Sequence, residues 1–266
     1  MNARMYAVTP KVEAGWQALL EHVAREAGVA FSYLPYPAPQ PLEQLWARSD
    51  LGLVFMCGFP IAQRLAAVVP IAAPVPAADW AEGRAVYRTD LIVRQDAPFR
   101  TLEDTFGARA GYTVAHSHSG FNAFRHHLLP YRTPLRPALY GEMVGELITA
   151  RNVLDSVRSG RIDVGPLDAY WHLLIARHAP QLTEGVRVLA STATAPMPAL
   201  VAAKTVSPAI IERLRAGLVG AAGRSWFAPF ADLLQLKGFA AVTDNSYGML
   251  LDWDQAARAV GYDRPA

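Results

Sequence analysis

The sequence RAVYRTDLIVR, residues 84–94, is a long strand-like stretch in which polar and apolar residues partly alternate. We interpret it as the strand by which the chain leaves a first lobe and enters a second one. Val186–Thr192 is the natural strand for the return. Two such passages predict a first lobe made of two separate parts of the chain: residues 1–86 and 190–266 form lobe one, and residues 87–189 form lobe two.

Strand and helix patterns alternate on both sides of residues 84–94. The run Leu51–Met56 is continuously apolar, which is typical of a strand buried on both faces. The alternation predicts an α/β fold in which each lobe is a mostly parallel sheet flanked by helices, with two hinge strands joining the lobes. The other predicted strands are Arg4–Val8, Val29–Leu34, Arg109–Thr113, Pro137–Tyr140, Ile162–Gly165 and Ala199–Ala203. The predicted helices are Val12–Ala27, Leu42–Arg48, Thr101–Phe106, Ser119–Leu129, Ile148–Ser159, Leu167–Arg177, Pro208–Ala222 and Trp226–Leu236.

Composition excludes several classes of protein. Hydrophobic residues make up 52% and charged residues 18% of the chain, which argues against disorder. The formal net charge of +2 shows no excess of basic residues for a nucleic-acid partner. Cys57 is the single cysteine, so no disulfide forms within the chain. The apolar stretch Leu51–Pro76 is interrupted by Gln63, Arg64 and several prolines, so we expect no stable membrane insertion.

The strongest local pattern is Ser117-His118-Ser119-Gly120, between a predicted strand and a predicted helix. The first N–H groups of a helix and its dipole favour an anion, and serine hydroxyls can add donors. Gly120 carries no side chain that would block close approach. Plain capping of the helix by Ser119 explains the same residues, and both interpretations stay open at this point.

Two further turns follow predicted strands. Cys57 and Gly58 follow the buried strand Leu51–Met56, at the strand end where open α/β sheets bind ligands. A tight turn with a buried thiol is the simpler interpretation of Cys57. Asp168 stands at the start of a predicted helix, where it either caps the helix or faces a ligand.

Metal and cofactor sites are not predicted. His118 and His126 are separated by a helical rise of roughly 10 Å, too far for one tetrahedral metal site. The sequence has no phosphate-binding loop of the Walker type, no dinucleotide-binding glycine pattern and no CxxC pair. It also lacks the G-x-S-x-G turn of a serine hydrolase.

Several segments between Leu51 and Leu218, taken in order, resemble the phosphate/phosphite/phosphonate-binding family, the solute receptors of phosphonate-type ABC transporters. The resemblance implies the type 2 periplasmic-binding-protein fold. The matching segments are Tyr87–Val93 as the hinge strand, Thr101–Gly107, the Ser117–Gly120 anion loop, Asn152–Gly160 with Asp163–Gly165, and Pro196–Pro198.

The resemblance implies a solute-binding protein that closes on a small anion of the phosphate, phosphite or phosphonate class. Ser117, His118, Ser119 and Gly120 would hold the anion from lobe two, and Tyr87 would close on it at the hinge. Cys57 and Gly58 would contribute contacts from lobe one. Asp168 would accept a hydrogen bond from a ligand hydroxyl or amine.

The implied partner is an ABC transporter permease, and the implied location is the periplasm. No apolar segment follows Arg4, so no secretory signal is predicted, and a cytoplasmic location stays open. The alternatives are an enzyme on the same fold, of the menaquinone-pathway or thiamin-pyrimidine-synthase type, and a cytoplasmic ligand-sensing module. His118 and Asp168 are the candidate acid or base groups for the enzyme.

Overall fold

The computed structural model describes residues 1–266 and divides the chain into two compact units. Unit 1 comprises residues 1–87 and 196–248, and unit 2 comprises residues 88–195 and 249–266. The chain therefore passes between the units after Tyr87, after Ala195 and after Gly248. Sequence analysis predicted two passages and assigned residues 190–266 to lobe one. In the structure, residues 249–266 belong to unit 2, since Ala257 and Tyr262 are part of its buried core.

Nine α-helices and eleven strands form the two units. The helices are α1 (Pro10–Glu26), α2 (Leu42–Trp46), α3 (Gly58–Ala62), α4 (Ala123–Leu128), α5 (Ala150–Arg158), α6 (Ala169–His178), α7 (Pro208–Val219), α8 (Ala228–Leu234) and α9 (Gly248–Ala259). The strands are β1 (Val54–Met56), β2 (Val68–Pro76), β3 (Val86–Tyr87), β4 (Thr89–Arg94), β5 (Arg109–Gly111), β6 (Glu142–Val144), β7 (Val164–Asp168), β8 (Val186–Ser191), β9 (Ala195–Pro196), β10 (Ala199–Ala203) and β11 (Leu236–Ala241). None of the helices is both long enough and apolar enough to cross a membrane.

Each unit has one open sheet. The sheet of unit 1 has the order β1-β10-β2-β11, and every neighbouring pair is antiparallel. The sheet of unit 2 has the order β6-β5-β7-β4-β8. Its strand β5 runs parallel to β6 and β7, whereas β4 runs antiparallel to both β7 and β8.

The predicted α/β class, with open sheets and flanking helices, is confirmed, but the expectation of mostly parallel sheets is wrong. In unit 2, β4 runs antiparallel to β7, with Thr89 opposite Asp168 and Val93 opposite Val164. In unit 1, β10 and β11 both run antiparallel to β2. A continuously apolar strand indicates burial on both faces, but it carries no information on the direction of its neighbours.

Helix α1 shows how closely a periodic pattern predicts local structure. Thr9 caps the helix, its hydroxyl oxygen accepting from Val12 N at 3.3 Å, and Pro10 occupies the first position, where no N–H is needed. The apolar residues of α1 at helical spacing are buried: Val12, Trp16, Leu19, Leu20 and Val23.

Three predicted strands are absent from the structure. Residues 4–6 form a 3₁₀ helix instead, because the Asn2 side chain accepts from Arg4 N at 2.9 Å and turns the chain locally. Residues 29–34 are not part of any ladder, although Leu34 N donates to Met1 O at 2.8 Å. The strand expected at residues 137–140 forms a few residues later, as β6. Strand β11 and helix α9 were not predicted from the sequence.

A buried carboxylate holds three elements of unit 2 together. Asp90 of β4 is 5% exposed, and it accepts from Ser191 Oγ of β8 at 2.8 Å. Its other oxygen lies 3.1 Å from His172 Nδ1 of α6, and Arg88 Nε lies 3.2 Å from the first. Burial alone raises the pKa of Asp90, but the hydrogen bonds from His172 and Ser191 and the charges of His172 and Arg88 outweigh it, so the pKa lies below its ordinary value.

We expect Asp90→Asn to lower the free energy of unfolding by about 3 kcal/mol at pH 7, because Arg88 and His172 lose their buried anion. Since folding lowers the pKa of Asp90, its stabilisation is present above the unfolded-state value of about 3.9 and is lost as pH falls through the folded value. Urea denaturation at pH 7 and at pH 3 measures both effects.

Asp96→Asn is the matched control, because Asp96 pairs with Arg94 at the exposed surface, where such pairs contribute little. Equal unfolding free energies for the two variants at pH 7 would contradict the contribution assigned to Asp90.

Candidate functional site

The candidate site in unit 2 lies at one edge of its sheet. Strands β5, β6 and β7 are parallel, so their carboxyl ends lie at the same edge. Because β4 is antiparallel to β7, its first residue, Thr89, lies directly opposite Asp168, the last residue of β7. The loop that follows β5 leads to Ser117–Gly120. This edge therefore brings together five of the eight predicted binding residues: Ser117, His118, Ser119, Gly120 and Asp168.

Ser117 begins the helix that follows β5. Its hydroxyl oxygen accepts from Gly120 N at 3.0 Å, and its carbonyl oxygen accepts from Asn122 N at 3.1 Å. The first turn, residues 118–122, is π-helical and continues directly into α4. The capping residue is thus Ser117, and the capping by Ser119 considered in the sequence analysis is wrong. The backbone of Ser117 is extended, as a capping residue requires.

The Ser117–Gly120 turn is fastened to the sheet by two hydrogen bonds. Thr89 Oγ1 donates to Ser119 O at 3.1 Å, and Thr113 N donates to Gly120 O at 3.2 Å. Thr192 in turn holds Thr89, because its hydroxyl oxygen accepts from Thr89 N at 3.0 Å. These bonds fix the direction of the N–H groups that open the helix.

Gly120 is required here by packing. A Cβ at this position would lie 1.9 Å from Thr113 Oγ1, so any side chain would push the turn away from the sheet. Thr113 Oγ1 is buried and has no hydrogen-bond partner in the protein. A buried hydroxyl of this kind calls for a partner from a ligand or from water.

The His118 ring faces α9 and carries no charge at neutral pH. It lies 5.3 Å from the Trp253 ring, and its Nδ1 lies 3.4 Å from Asn122 Nδ2. Burial lowers the pKa of His118 to about 3, and the nearby His126 contributes to the same shift. Any attraction of this turn for an anion therefore comes from backbone and hydroxyl dipoles rather than from an imidazolium.

Asp168 caps α6. Its Oδ1 accepts from Tyr170 N at 2.9 Å and from Trp171 N at 3.0 Å. The capping interpretation of Asp168 is therefore what the structure shows. Contact of the same carboxylate with a ligand stays a prediction.

The remaining predicted residues lie in unit 1. Cys57 precedes the short helix α3, of which Gly58 is the first residue. The Cys57 sulfur lies 3.8 Å from the Tyr87 hydroxyl, and both side chains are buried. Tyr247 shares this region: its hydroxyl donates to Met197 O at 3.0 Å, and burial raises its pKa, with a further contribution from Cys57. A ligand contact for Cys57, Gly58 and Tyr87 stays a prediction.

Sequence reasoning missed Thr89, Thr113, Asn122 and Thr192. Thr113 was the easiest of these to find, because it is the last residue of the predicted strand Arg109–Thr113, at the end where ligands bind. Thr89 is a hydroxyl residue within the predicted hinge strand. Nothing in the sequence distinguishes Asn122 or Thr192 from ordinary surface residues. The structure contains no group of three or more His, Cys, Asp or Glu side chains that could hold a metal ion.

The architecture is that of the type 2 periplasmic-binding-protein class. A binding-protein component of an ABC phosphonate transporter from Pseudomonas aeruginosa, PA3383, is similar over 98% of this chain and 87% of its own, with a TM-score of 0.79 and 15% identity. PhnD1 from Prochlorococcus marinus, in complex with methylphosphonate, is similar over 94% and 93%, with a TM-score of 0.76 and 15% identity. XAC2383 from Xanthomonas citri, bound to ATP, is similar over 97% and 96%, with a TM-score of 0.65 and 20% identity.

The family model described as "ABC transporter, phosphonate, periplasmic substrate-binding protein" matches residues 7–247. The chain belongs to this family, so the resemblance predicted from the sequence and the function of a solute-binding protein are confirmed. The family and its structural neighbours are substrate-binding proteins and not enzymes. No curated protein sequence matches this chain.

Gly120→Ala should lower the free energy of unfolding by about 1–3 kcal/mol, because the new Cβ has no space beside Thr113. Urea denaturation of purified protein measures the loss. Gly223→Ala is the control, since a Cβ at Gly223 meets no atom within 4 Å. Equal stability of the two variants would show that the turn is not packed against Thr113 as described.

Proposed function

We propose that this chain binds a phosphate, phosphite or phosphonate anion at the Ser117–Gly120 turn and delivers it to an ABC transporter permease. The observation that carries the proposal is the placement of this turn at the carboxyl edge of β5, fastened by Thr89 and fitted against Thr113 through Gly120. Family membership supports the phosphonate type of ligand and the permease partner. The family description also supports a periplasmic location.

The chemistry of the turn suits a phosphoryl group. The opening N–H groups of the helix point along its axis, and the helix dipole favours negative charge there. The hydroxyls of Ser119 and Thr113 add donors, and three phosphoryl oxygens offer enough acceptors for all of them. Methylphosphonate in PhnD1 and ATP in XAC2383 both carry such oxygens.

Asp168 narrows the choice of ligand. Its carboxylate is nearly buried and lies at the same sheet edge as the turn. A carboxylate disfavours a fully ionised phosphoryl group nearby, but it accepts a hydrogen bond from a P–OH group or from a ligand amine. We therefore propose a singly protonated phosphoryl ligand or an aminoalkyl phosphonate.

The enzyme alternative finds no support in the candidate acid and base groups. The His118 ring faces α9, and its low pKa excludes general-base work that needs a group titrating near neutral pH. Asp168 already accepts two backbone N–H bonds.

Isothermal titration calorimetry of the full chain with phosphate, phosphite, methylphosphonate, 2-aminoethylphosphonate and ATP tests the proposal. We expect one ligand per chain for at least one of them, with no change in the ligand afterwards. Absence of heat with all five, together with an unchanged melting temperature, would refute the phosphoryl assignment.

Ser117→Ala should weaken binding of the preferred ligand about tenfold and cost about 1 kcal/mol of stability, because the turn loses its cap. Ser207→Ala is a matched control: Ser207 caps α7 in unit 1, its hydroxyl oxygen accepting from Ile210 N at 3.4 Å. We expect a similar loss of stability there, with an unchanged dissociation constant. If both variants bind equally well, the Ser117 turn does not hold the ligand.

A further inference from the structure

We propose that helix α9 holds the Ser117–Gly120 turn in one conformation through Asn122. Asn122 is a positioning residue that fixes both the backbone of this turn and the tautomer of His118. The consequence for ligand affinity rests on the proposed function, whereas the consequence for the His118 ring does not.

Asn122 is completely buried and makes contacts in two directions. Its Nδ2 donates to Leu250 O of α9 at 2.9 Å, and its Oδ1 accepts from Arg125 Nη2 at 3.1 Å. A carbonyl oxygen can only accept, and a guanidinium can only donate. The Asn122 amide therefore has a single orientation.

That orientation determines where the proton of His118 lies. Asn122 Nδ2 can only donate and lies 3.4 Å from His118 Nδ1, so we infer that Nδ1 is the acceptor in this contact. A neutral imidazole with Nδ1 as acceptor carries its hydrogen on Nε2. Since the pKa of His118 is lowered to about 3, the ring keeps this neutral form throughout the physiological range.

Helix α9 also binds Arg125, the α4 residue that orients the Asn122 amide. Arg125 is 1% exposed and forms an ion pair with Asp254 of α9. Arg125 Nη1 donates to Asp263 O at 3.1 Å, and the other Asp254 oxygen accepts from Arg258 Nε at 2.7 Å. The charge of Arg125 is thus neutralised by the same helix that binds Asn122.

Trp253 provides a third contact from α9. Its ring stacks on His126 at 4.5 Å and lies 5.3 Å from His118. Leu250, Trp253 and Asp254 are three and four positions apart, so they share one face of the helix. The titratable group that acts on His118 is His126 of α4, and Asn122 connects the His118 ring to Arg125 of α4 and through it to Asp254 of α9.

The contacts of Asn122 with α9 explain how the π-helical first turn, residues 118–122, keeps one backbone conformation. A π turn is wider than an α turn and occurs mostly as a single turn at functional sites. Asn122 is its last residue, and Asn122 N donates to Ser117 O at 3.1 Å. With its side chain held by α9, the N–H groups of His118 and Ser119 stay in a fixed direction before a ligand arrives, which lowers the entropic cost of binding.

The first test determines the tautomer and the titration of the His118 ring in the absence of ligand. Two-bond ¹H–¹⁵N spectra of the ¹⁵N-labelled full chain from pH 5 to 8 report the tautomer of each histidine, and His118→Gln assigns the signal. We expect a neutral ring protonated on Nε2 that does not titrate. A ring protonated on Nδ1, or one that titrates in this range, would overturn the proposal, whatever the protein binds.

Asn122→Leu then separates positioning from general packing. We expect the variant to lose the single tautomer and to bind methylphosphonate or phosphate at least about tenfold more weakly by calorimetry. Asp252→Asn is the control, because Asp252 lies on α9 but is exposed, and it should leave the ring and the affinity unchanged. A folded Asn122→Leu variant with the tautomer and affinity of the unchanged protein would refute the inference. If the unchanged protein binds neither anion, the proposed function fails, and the ring spectra alone decide this inference.

Discussion

The antiparallel pairing of β4 with β7 is the constraint on which the site in unit 2 depends. It places Thr89, just past the first passage between the units, opposite Asp168 at the carboxyl end of β7. From there the Thr89 hydroxyl reaches Ser119 O. Had β4 run parallel to β7, Thr89 would lie at the far edge of the sheet, away from the turn. The direction of β4 therefore brings Thr89 next to both Asp168, which caps α6, and the Ser117–Gly120 turn.

The donors that the Ser117–Gly120 turn presents are dipoles and not charges. His118 is neutral, and the nearest cation within the same helix, Arg125, is neutralised by Asp254. Backbone N–H groups and hydroxyls keep their direction at any pH at which the protein is folded.

The network of Asn122, Arg125 and Asp254 places two charged side chains in the interior of unit 2. A buried ion pair contributes little net stability, because both charges lose their hydration. We infer that its contribution is specificity, because the charges of Arg125 and Asp254 meet only when α9 lies against α4 as it does here. That arrangement is the one in which Asn122 closes the π turn behind Ser117.

The sequence predicted much of the fold from local signals. The apolar run that became β1 and the helices that became α1 and α7 were predicted from patterns among near neighbours in the chain. The wrong strand prediction at Arg4–Val8 has a local cause as well, since the Asn2 side chain accepts from Arg4 N and turns the chain there. The predicted positions of Cys57 directly after a strand and of Asp168 at a strand–helix junction agree with the structure.

By itself, the sequence determined the α/β class, most of the helices, several strands and the turn of the candidate anion site, because periodicity and strand ends are encoded within a few residues. The tertiary structure alone decided the strand directions, the passage of residues 249–266 into unit 2, and the contributions of Thr89, Thr113 and Asn122. These depend on contacts such as Asn122 with Leu250, which are 128 residues apart in the chain. No pattern among near neighbours in the sequence indicates which distant backbone carbonyl a buried amide contacts.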